Sequence, residues 1–353
     1  MRPHRVLLPV SWMYGAATAI RNWCYDSGVM KIRHTVVPVI SVGNLTAGGT
    51  GKTPLVAELV RRLQSRGRRV AIISRGYGRT SHGPVIVAAP GRPGTSVEQA
   101  GDEAAMLAMQ LPDAIVVVAE RRSEAAEIAV GSLGADVLVM DDGFQHRALW
   151  RDLNILVVDG RSDVRREPVL PAGLRREPLS GIARADLIGI SKVDAPAEVR
   201  ESGAKLSRWS AAPVFGFRLV GDGLVDLQTR EPVISGAIRR VTVMSGIADP
   251  KGFSTTVRNA GMEVAGETEF GDHHEFTAEE VATVLASAVS LKAQRVVTTE
   301  KDAVRLGRND LRDALCRSPM PVAVLKTRLE IVVGEEQLQE ALTKVLAEGK
   351  KEC

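Results

Sequence analysis

The strongest chemical signal in the sequence is a glycine-rich run, residues 46–53, that ends in lysine and threonine. Glycines let main-chain N–H groups turn toward phosphate oxygens, a lysine neutralises the β- and γ-phosphates, and a hydroxyl binds Mg²⁺. Lys52 and Thr53 fit the last two roles, and Thr46 departs from the general pattern, which has glycine there. The run therefore predicts a site for a nucleoside triphosphate. Its members are Thr46, Ala47, Gly48, Gly49, Thr50, Gly51, Lys52 and Thr53.

Two adjacent carboxylates, Asp141 and Asp142, follow four apolar residues that are typical of a buried strand. An enzyme with such a phosphate loop also needs an acidic group near its metal, at the end of a neighbouring strand. Adjacent carboxylates are also common in ordinary turns, but the glycine-rich run upstream favours the metal interpretation. We therefore predict that Thr53, Asp141 and Asp142 lie around Mg²⁺.

Three weaker signals bear on the group that receives the phosphate. Asp102 and Glu103 open a helical pattern, where main-chain amides favour a carboxylate, although such residues are also simple N-caps. His273 and His274 follow Asp272 and are either loop residues or metal ligands. Several arginines in loop-like sequence suit phosphate binding but are also typical of a solvated surface. They are Arg121, Arg122, Arg161, Arg165, Arg166, Arg175 and Arg176.

Short apolar runs that alternate with helical patterns must position these residues. Continuous apolar strands between helices are typical of a parallel sheet that is covered on both faces. We predict strands at residues 36–42, 69–74, 114–120, 135–142, 154–160 and 185–191. Helices are predicted at residues 52–65, 99–110 and 122–133. The predicted fold class is therefore α/β, with a parallel sheet of the P-loop NTPase type.

A choppier stretch, residues 212–240, interrupts this alternation and is typical of a pair of short strands. After it, strands are predicted at residues 241–246, 295–299 and 321–325, and helices at residues 253–259, 277–292, from 302 onward and 335–348. The chain is long enough for two domains of roughly 150 residues each. We expect an N-terminal region (1–30), a P-loop domain (31–211), an extended two-strand linker (212–240) and a second, smaller α/β domain (241–353).

Composition excludes several classes of protein. The 353 residues are 44% hydrophobic and 25% charged, which rules out a disordered, collagenous or coiled-coil chain as a whole. The net charge of +4 is small for a nucleic-acid-binding protein, although it suits an acidic ligand or an anionic membrane. Three single cysteines, Cys24, Cys316 and Cys353, give neither a disulfide framework nor a zinc spacing and suit a reducing cytoplasm.

Residues 6–20 carry no charge and are flanked by arginines. As a helix they would reach about 22 Å, short of the roughly 30 Å hydrocarbon core of a bilayer. Trp12, Tyr14 and Trp23 favour a helix that lies in the membrane interface. A buried first helix and a signal peptide are the alternatives, and a signal peptide is at odds with the nucleotide site that follows it.

Taken together and in order, the motifs of this chain resemble the tetraacyldisaccharide 4'-kinase (lipid A 4'-kinase) family. The matching runs are SVGNLTAGGTGKTP, SRGYGR, GDEAAMLA, DDGFQHRALWRDLNILVVDG, LPAGLRREP, GDHHEF and VVTTEKDAVRL. Thr46 at the unusual position of the glycine-rich run is also what the family has. The resemblance implies Mg·ATP-dependent phosphorylation of the 4'-hydroxyl of a tetraacylated glucosamine disaccharide 1-phosphate, a step of lipid A biosynthesis. It further implies peripheral contact with the cytoplasmic face of the bacterial inner membrane. We expect a monomer with no nucleic-acid partner.

The resemblance assigns the nucleotide and the metal to particular residues. It implies that Lys52 and Thr53 contact ATP and Mg²⁺. Asp141 and Asp142 match the carboxylate pair beside the metal, and Glu103 would reach the metal through water.

The acceptor side of the reaction is assigned in the same way. Asp102 matches the carboxylate that acts as base on the sugar hydroxyl, and His273 matches the histidine that pairs with it from the other domain. Arg122 and Arg176 match positions that contact phosphate or stabilise charge. His273, Arg122 and Arg176 each lie next to a residue of the same type, so the sequence leaves open which residue of each pair acts. Those neighbours are Arg121, Arg175 and His274.

A GTP-hydrolysing metallochaperone or switch protein is the main alternative. Its evidence is the run Ser191-Lys-Val-Asp194, which approximates the guanine-reading NKxD pattern after a predicted strand. The sequence has no Cys/His cluster for metal delivery, which speaks against it. A non-enzymatic lipid-binding scaffold is a further alternative, and the presence of Lys52, Thr53, Asp141 and Asp102 speaks against that one.

Overall fold

The computed structural model describes residues 5–92, 94–234, 236, 238–307 and 309–348. The chain divides into two compact units. The first comprises Met1–Arg218 and Glu330–Cys353, and the second comprises Leu219–Leu329. Each unit has its own buried apolar core, so each is a folded α/β body in its own right.

The first unit is a mostly parallel sheet with helices between its strands. Its strands are β1 (Val39–Asn44), β2 (Val70–Ser74), β3 (Val85–Ala88), β4 (Ile115–Val118), β5 (Val137–Asp141), β6 (Leu153–Asp159), β7 (Leu187–Ser191) and the start of β8 (Val214–Asp226). Its helices are α1 (Leu8–Asp26), α2 (Lys52–Gln64), α3 (Val97–Ala100), α4 (Asp102–Gln110), α5 (Arg122–Glu127) and α6 (Pro196–Leu206). In space the strands follow the order β8, β7, β6, β1, β5, β2, β4, β3, and β3 pairs antiparallel with β4.

The central strands are buried along their whole length, which explains the parallel arrangement. Every residue of β1, β2, β4, β5 and β7 is buried, and such strands need helices on both faces of the sheet. The register pairs Val42 of β1 with Asp141 of β5. The carboxyl ends of these two strands therefore lie side by side, and the residues that follow them are brought together.

The second unit is a smaller α/β layer. Its strands are the end of β8, β9 (Pro232–Val233), β10 (Arg240–Ser245), β11 (Glu263–Glu269), β12 (Arg295–Thr298) and most of β13 (Val322–Val333). Its helices are α7 (Pro250–Asn259), α8 (Ala278–Ser290), α9 (Glu300–Leu306) and α10 (Asn309–Arg317). Strand β10 pairs in parallel with β11 and β12, β12 pairs in parallel with β13, and β9 pairs antiparallel with β8.

The predicted α/β class is confirmed. The predicted domains were continuous in sequence, whereas the first unit consists of two separate segments of the chain. Helix α11 (Glu335–Glu348) groups with the first unit, although the sequence pattern placed it in the second domain. The reason is that β8 and β13 each begin in one unit and end in the other, so the chain returns before α11. The stretch expected to be a two-strand linker contains the long β8 and the short β9.

Helix α1 has two contrasting faces. Small and polar residues face the first unit at helical spacing: the Ala172 N–H donates to Ser11 Oγ (2.9 Å), and Asn22 Nδ2 donates to Glu177 Oε2 (2.8 Å). Large apolar side chains on the other face are 62–74% exposed, and they are Trp12, Met13, Ile20 and Trp23. Across the described residues, no helix combines the length and the apolar character that a membrane crossing requires.

Candidate active site

The phosphate loop, residues 46–53, connects the end of β1 to the start of α2. Gly48 and Gly51 have φ values of 113° and 84°, in the left-handed region that favours glycine. A hydrogen bond from Asn44 Nδ2 to Thr50 Oγ1 (2.9 Å) fixes the loop to the end of its strand. Because the first turn of α2 carries no acidic residue, its main-chain N–H groups favour an anion at the loop.

Asp142 lies between two cationic side chains. Lys52 Nζ is 3.5 Å from Asp142 Oδ1, and Arg176 Nη1 donates to Asp142 Oδ1 and Oδ2 at 2.9 and 2.7 Å. Burial opposes ionisation of this carboxyl, but the charges of Lys52 and Arg176 outweigh burial and hold the pKa of Asp142 below its ordinary value. The carboxylate is therefore ionised at neutral pH and joins the phosphate loop to a second motif.

Asp141, the last residue of β5, is the most strongly perturbed acid of this cluster. It is 1% exposed, and its Oδ1 accepts no hydrogen bond from the described residues. Burial, followed by the charges of Glu103 and Asp142, raises the pKa of Asp141 to about 7, against the opposing effect of Lys52. Three acidic side chains thus meet beside one lysine, which is an environment that a divalent cation would neutralise.

No three His, Cys, Asp or Glu side chains within the described ranges already form a metal cage. Magnesium in nucleotide enzymes is commonly held by one or two carboxylates together with phosphate oxygens and water. The cluster of Asp141, Asp142 and Glu103, with Thr53 in the first turn of α2, fits that kind of site. A metal at this cluster would therefore need phosphate oxygens of a bound nucleotide as further ligands.

The structure separates Arg121 from Arg122. Arg122 begins α5 and is 6% exposed, whereas the side chain of Arg121 is 78% exposed and pairs with Glu124 (3.5 Å). Burial lowers the pKa of Arg122 to about 10, and the charges of Asp142 and Asp141 oppose this lowering. Arg122 is thus the member of the pair that lies within electrostatic reach of both carboxylates.

Arg175 and Arg176 also make different contacts. The main chain of Arg175 forms bridges with Thr46 and Val169, whereas the side chain of Arg176 binds Asp142. Arg175 therefore fixes the backbone at the start of the phosphate loop, and Arg176 brings its charge to the carboxylate.

Asp102 begins α4 directly after Gly101, whose φ of 83° ends the preceding helix. A side chain at Gly101 is excluded, because a Cβ there would come within 2.6 Å of the Tyr77 carbonyl oxygen. This turn explains why the single helix predicted at residues 99–110 is divided in two. The next residue, Glu103, is close enough to Asp141 to raise its pKa. Asp102 itself is half-buried, and it directly precedes Glu103, a member of the acidic cluster.

His273 and His274 lie in the second unit, between β11 and α8. The ring of His274 stacks on Phe270 (4.7 Å between centroids), and its Nε2 is 3.0 Å from Glu280 Oε2. His273 has a φ of 61°, and its Nε2 is 3.1 Å from Lys301 Nζ. His274 therefore packs within its own unit, while His273 makes a polar contact with α9.

Sequence reasoning did not single out Gln145 and Glu177, which connect α1 to the phosphate loop. Gln145 Nε2 donates to the Asn44 carbonyl and to Glu177 Oε1, both at 2.8 Å. Glu177 is 1% exposed and also accepts the hydrogen bond from Asn22 of α1. Both residues lie inside recognised motifs, DDGFQHR and LPAGLRREP, which was the available signal.

A basic region surrounds His146, which sequence reasoning also left without a role. Burial, followed by the charges of Arg122, Arg151, Arg21 and Arg75, lowers the pKa of His146 to about 4. The histidine is therefore neutral at physiological pH, and the arginines around it suit an anionic ligand.

Two residues of the run 191–194, which suggested guanine recognition, form ion pairs with other side chains. The side chain of Asp194 is 80% exposed, and its Oδ1 pairs with Arg218 Nη1 at 3.0 Å. Lys192 pairs with Asp159 (2.9 Å). These contacts do not favour the GTP-hydrolysing alternative.

Comparisons with known proteins identify the family of this chain. The family model described as "LpxK: Tetraacyldisaccharide-1-P 4'-kinase" matches residues 3–347. The chain is 40% identical over 349 residues to the tetraacyldisaccharide 4'-kinase of Anaeromyxobacter sp. (strain Fw109-5), covering 97% of this chain and 92% of that protein. It is 40% identical over 303 residues to the tetraacyldisaccharide 4'-kinase of Geobacter metallireducens, covering 86% of this chain and 88% of that protein.

A solved structure gives the same result. The LpxK of Aquifex aeolicus, described as a complex with ATP, matches with a TM-score of 0.77 and 34% identity over 97% of this chain and 99% of its own. Because sequence and fold both match over nearly the whole length, the chain belongs to the tetraacyldisaccharide-1-P 4'-kinase family.

Proposed function

We propose that this chain transfers the γ-phosphoryl group of ATP to the 4'-hydroxyl of a tetraacylated glucosamine disaccharide 1-phosphate. The observation that carries the proposal is the cluster beyond the ends of β1 and β5, where Lys52, Arg122 and Arg176 lie within electrostatic reach of Asp142. The names of the relatives and the ATP complex of the related LpxK support the same reaction.

The test is transfer of labelled γ-phosphate from ATP to a tetraacylated disaccharide 1-phosphate in detergent micelles, with the phosphorylated position determined. Product labelled at the 4'-position supports the proposal. Hydrolysis of GTP without lipid, in the absence of any transfer from ATP, would support the switch-protein alternative instead.

Positioning and charge neutralisation provide most of the catalysis in phosphoryl transfer. Main-chain N–H groups of the phosphate loop and Lys52 would hold the β- and γ-phosphates. Arg122 and Arg176 would supply positive charge where negative charge develops on the transferred group. Arg122 is buried and Arg176 is bound to Asp142, so both are ordered before substrate arrives.

A divalent cation fits the same acidic cluster. The unpartnered Oδ1 of Asp141 and the mutual repulsion among Asp141, Asp142 and Glu103 are both relieved by a cation. We propose Thr53, Asp141 and Asp142 as its protein ligands, with Glu103 acting through water. When bound, Mg²⁺ neutralises charge on the phosphates of ATP during transfer.

Asp102 is our proposal for the base on the acceptor. As the 4'-oxygen forms its bond to the γ-phosphorus, the bond from that phosphorus to the departing ADP oxygen breaks and Asp102 takes the hydroxyl proton. His273 would assist Asp102 in this step. The disaccharide's own phosphate suits the basic region around His146.

Replacing Asp102 with asparagine is expected to lower kcat on the order of 10²-fold and to leave the KM for ATP nearly unchanged, because the carboxylate acts on the acceptor. Steady-state kinetics with each substrate varied measures both constants. Glu98→Gln, at an exposed acid in the preceding helix, is the matched control and should behave like the unaltered enzyme. A raised KM for ATP with an unchanged kcat would place Asp102 in the nucleotide site instead.

We also propose that α1 lies in the membrane interface. Its polar face is fixed to the first unit through Ser11 and Asn22, so the apolar face that carries Trp12, Met13 and Trp23 is left to contact lipid. Tryptophan is suited to the boundary between headgroups and acyl chains. The active site would then lie beside a bilayer, where an acylated acceptor resides.

Trp12→Ser combined with Met13→Ser is expected to weaken binding to anionic phospholipid vesicles on the order of tenfold, because two large apolar contacts with lipid are lost. Vesicle flotation measures the bound fraction. Ile234→Ser, which alters an 81% exposed apolar residue in the second unit, is the control. Equal flotation of all three proteins would refute an interfacial role for α1.

A further inference from the structure

The first turn of α9 is fixed to the end of β10 by a buried aspartate. Asp302 is 0% exposed, and its carboxylate accepts hydrogen bonds from the Gly246 N–H (3.0 Å) and from Thr299 Oγ1 (2.7 Å). Thr299 in turn caps the helix by accepting a hydrogen bond from the Asp302 N–H (3.0 Å). Residues of the VVTTEKDAVRL motif therefore form a rigid platform within the second unit.

The same platform holds the loop that carries His273. Arg305 Nη1 pairs with Asp302 Oδ1 (3.1 Å) and donates to the carbonyls of Gly246 (3.1 Å) and His274 (3.3 Å). The ring of His274 is fixed by its stacking on Phe270. The backbone next to His273 is thus held from two sides, so the position of the His273 ring relative to α9 is well defined.

Lys301 brings its ammonium group to that ring. Lys301 Nζ is 3.1 Å from Asp272 Oδ1 and 3.1 Å from His273 Nε2, and its side chain is 15% exposed. An ammonium group has three donors and no lone pair, so the ring nitrogen in this contact must be the acceptor. The carboxylate of Asp272 accepts another of the donors of this ammonium group. His273 Nε2 therefore carries no proton.

We propose that Lys301 is a positioning residue that holds His273 as the neutral tautomer protonated at Nδ1. The ring then presents Nδ1–H as a hydrogen-bond donor, and an ionised carboxylate, which accepts hydrogen bonds and donates none, is a suitable partner for it. The effect on catalysis rests on the proposed function of His273 as the residue that assists Asp102. The tautomer itself does not rest on that function.

The tautomer is tested by ¹H–¹⁵N correlation spectra of the histidine rings in the full-length, ¹⁵N-labelled protein at mildly alkaline pH. The six histidines are few enough for His273 to be assigned from the spectrum of His273→Gln. We expect the Nδ1–H pattern in the unaltered protein and a shift toward Nε2–H in Lys301→Met. Lys326→Met, which removes a lysine paired with the adjacent Glu300 (2.8 Å), is the matched control and should keep the Nδ1–H pattern. An Nε2–H pattern in the unaltered protein overturns the proposal without any variant.

Steady-state kinetics then test whether this tautomer of His273 contributes to catalysis. Lys301→Met is expected to lower kcat on the order of tenfold at a constant KM for ATP, and Lys301→Arg, which keeps a donor, should restore part of the loss. If the tautomer changes in Lys301→Met and kcat does not, the assignment of Lys301 is upheld and the proposed role of His273 fails. If the tautomer is the same in Lys301→Met and in the unaltered protein, Lys301 does not set it and the inference fails.

Discussion

Lys52→Met is expected to remove nearly all lipid-dependent phosphorylation, with kcat/KM reduced on the order of 10³-fold. The ammonium group is the one cation supplied by the phosphate loop itself, and methionine keeps the length of the side chain without its charge. The fold should survive, because Asp142 keeps its two hydrogen bonds with Arg176 after the lysine is lost. Transfer of labelled phosphate and calorimetric binding of ATP measure the two parts of the effect.

Lys205→Met is the matched control for this experiment. Lys205 lies on α6 in the same unit, and it forms an exposed i,i+4 pair with Glu201 (2.7 Å) that contributes little to stability. It should therefore retain full activity and ATP affinity. Near-normal turnover of Lys52→Met would refute the assignment of residues 46–53 as the phosphate-binding loop.

The phosphate loop and the acidic strand end could be located from the sequence because their signals are local. Gly48 and Gly51 are needed where the backbone has positive φ, and Asp141 ends a run of buried apolar residues. In the structure, β1 and β5 are neighbouring parallel strands, so the two segments that follow them lie side by side. Strand β11 escaped prediction for the opposite reason, since its sequence EVAGETE is polar and partly exposed, as is usual at a sheet edge.

The choice within each pair of identical neighbours could not be made from the sequence. Arg121 and Arg122 have the same chemistry, and the start of α5 turns one side chain to solvent and buries the other. The contacts of Gln145 with Glu177, and of Glu177 with Asn22 of α1, join residues far apart in the chain. Such contacts depend on the tertiary fold and leave no periodic pattern to read.

Asp141→Asn is expected to reduce phosphorylation on the order of 10³-fold and, at the same time, to stabilise the protein in the absence of ligands. The activity should fall because the proposed assignment makes Asp141 a charged ligand of the metal that neutralises the phosphates, and asparagine lacks that charge. The stability rises because asparagine has the same shape and no charge, so the cost of burying a charge disappears, together with the repulsion from Glu103 and Asp142. A residue that lowers stability while it supports catalysis is expected at a functional site.

The pH dependence of the stabilisation follows from the pKa of Asp141. Folding raises that pKa from 3.8 to about 7, so the folded protein binds the proton more tightly than the unfolded chain does. The free energy of unfolding therefore falls as the pH rises through this interval, and Asp141→Asn escapes the loss. The gain should be on the order of 4 kcal/mol above pH 7, a rise in Tm of several degrees, and should vanish as the pH approaches about 4.

Thermal unfolding across this pH range, with and without Mg·ATP, distinguishes a metal-site carboxylate from an ordinary buried acid. Mg·ATP should raise the Tm of the unaltered protein more than that of Asp141→Asn, because a cation relieves the same repulsion that the substitution removes. Asp136→Asn, just before the other end of β5, is the control and should show neither the activity loss nor the pH-dependent gain. If Asp141→Asn instead loses stability at every pH, the carboxylate holds the fold together and its assignment to the metal is wrong.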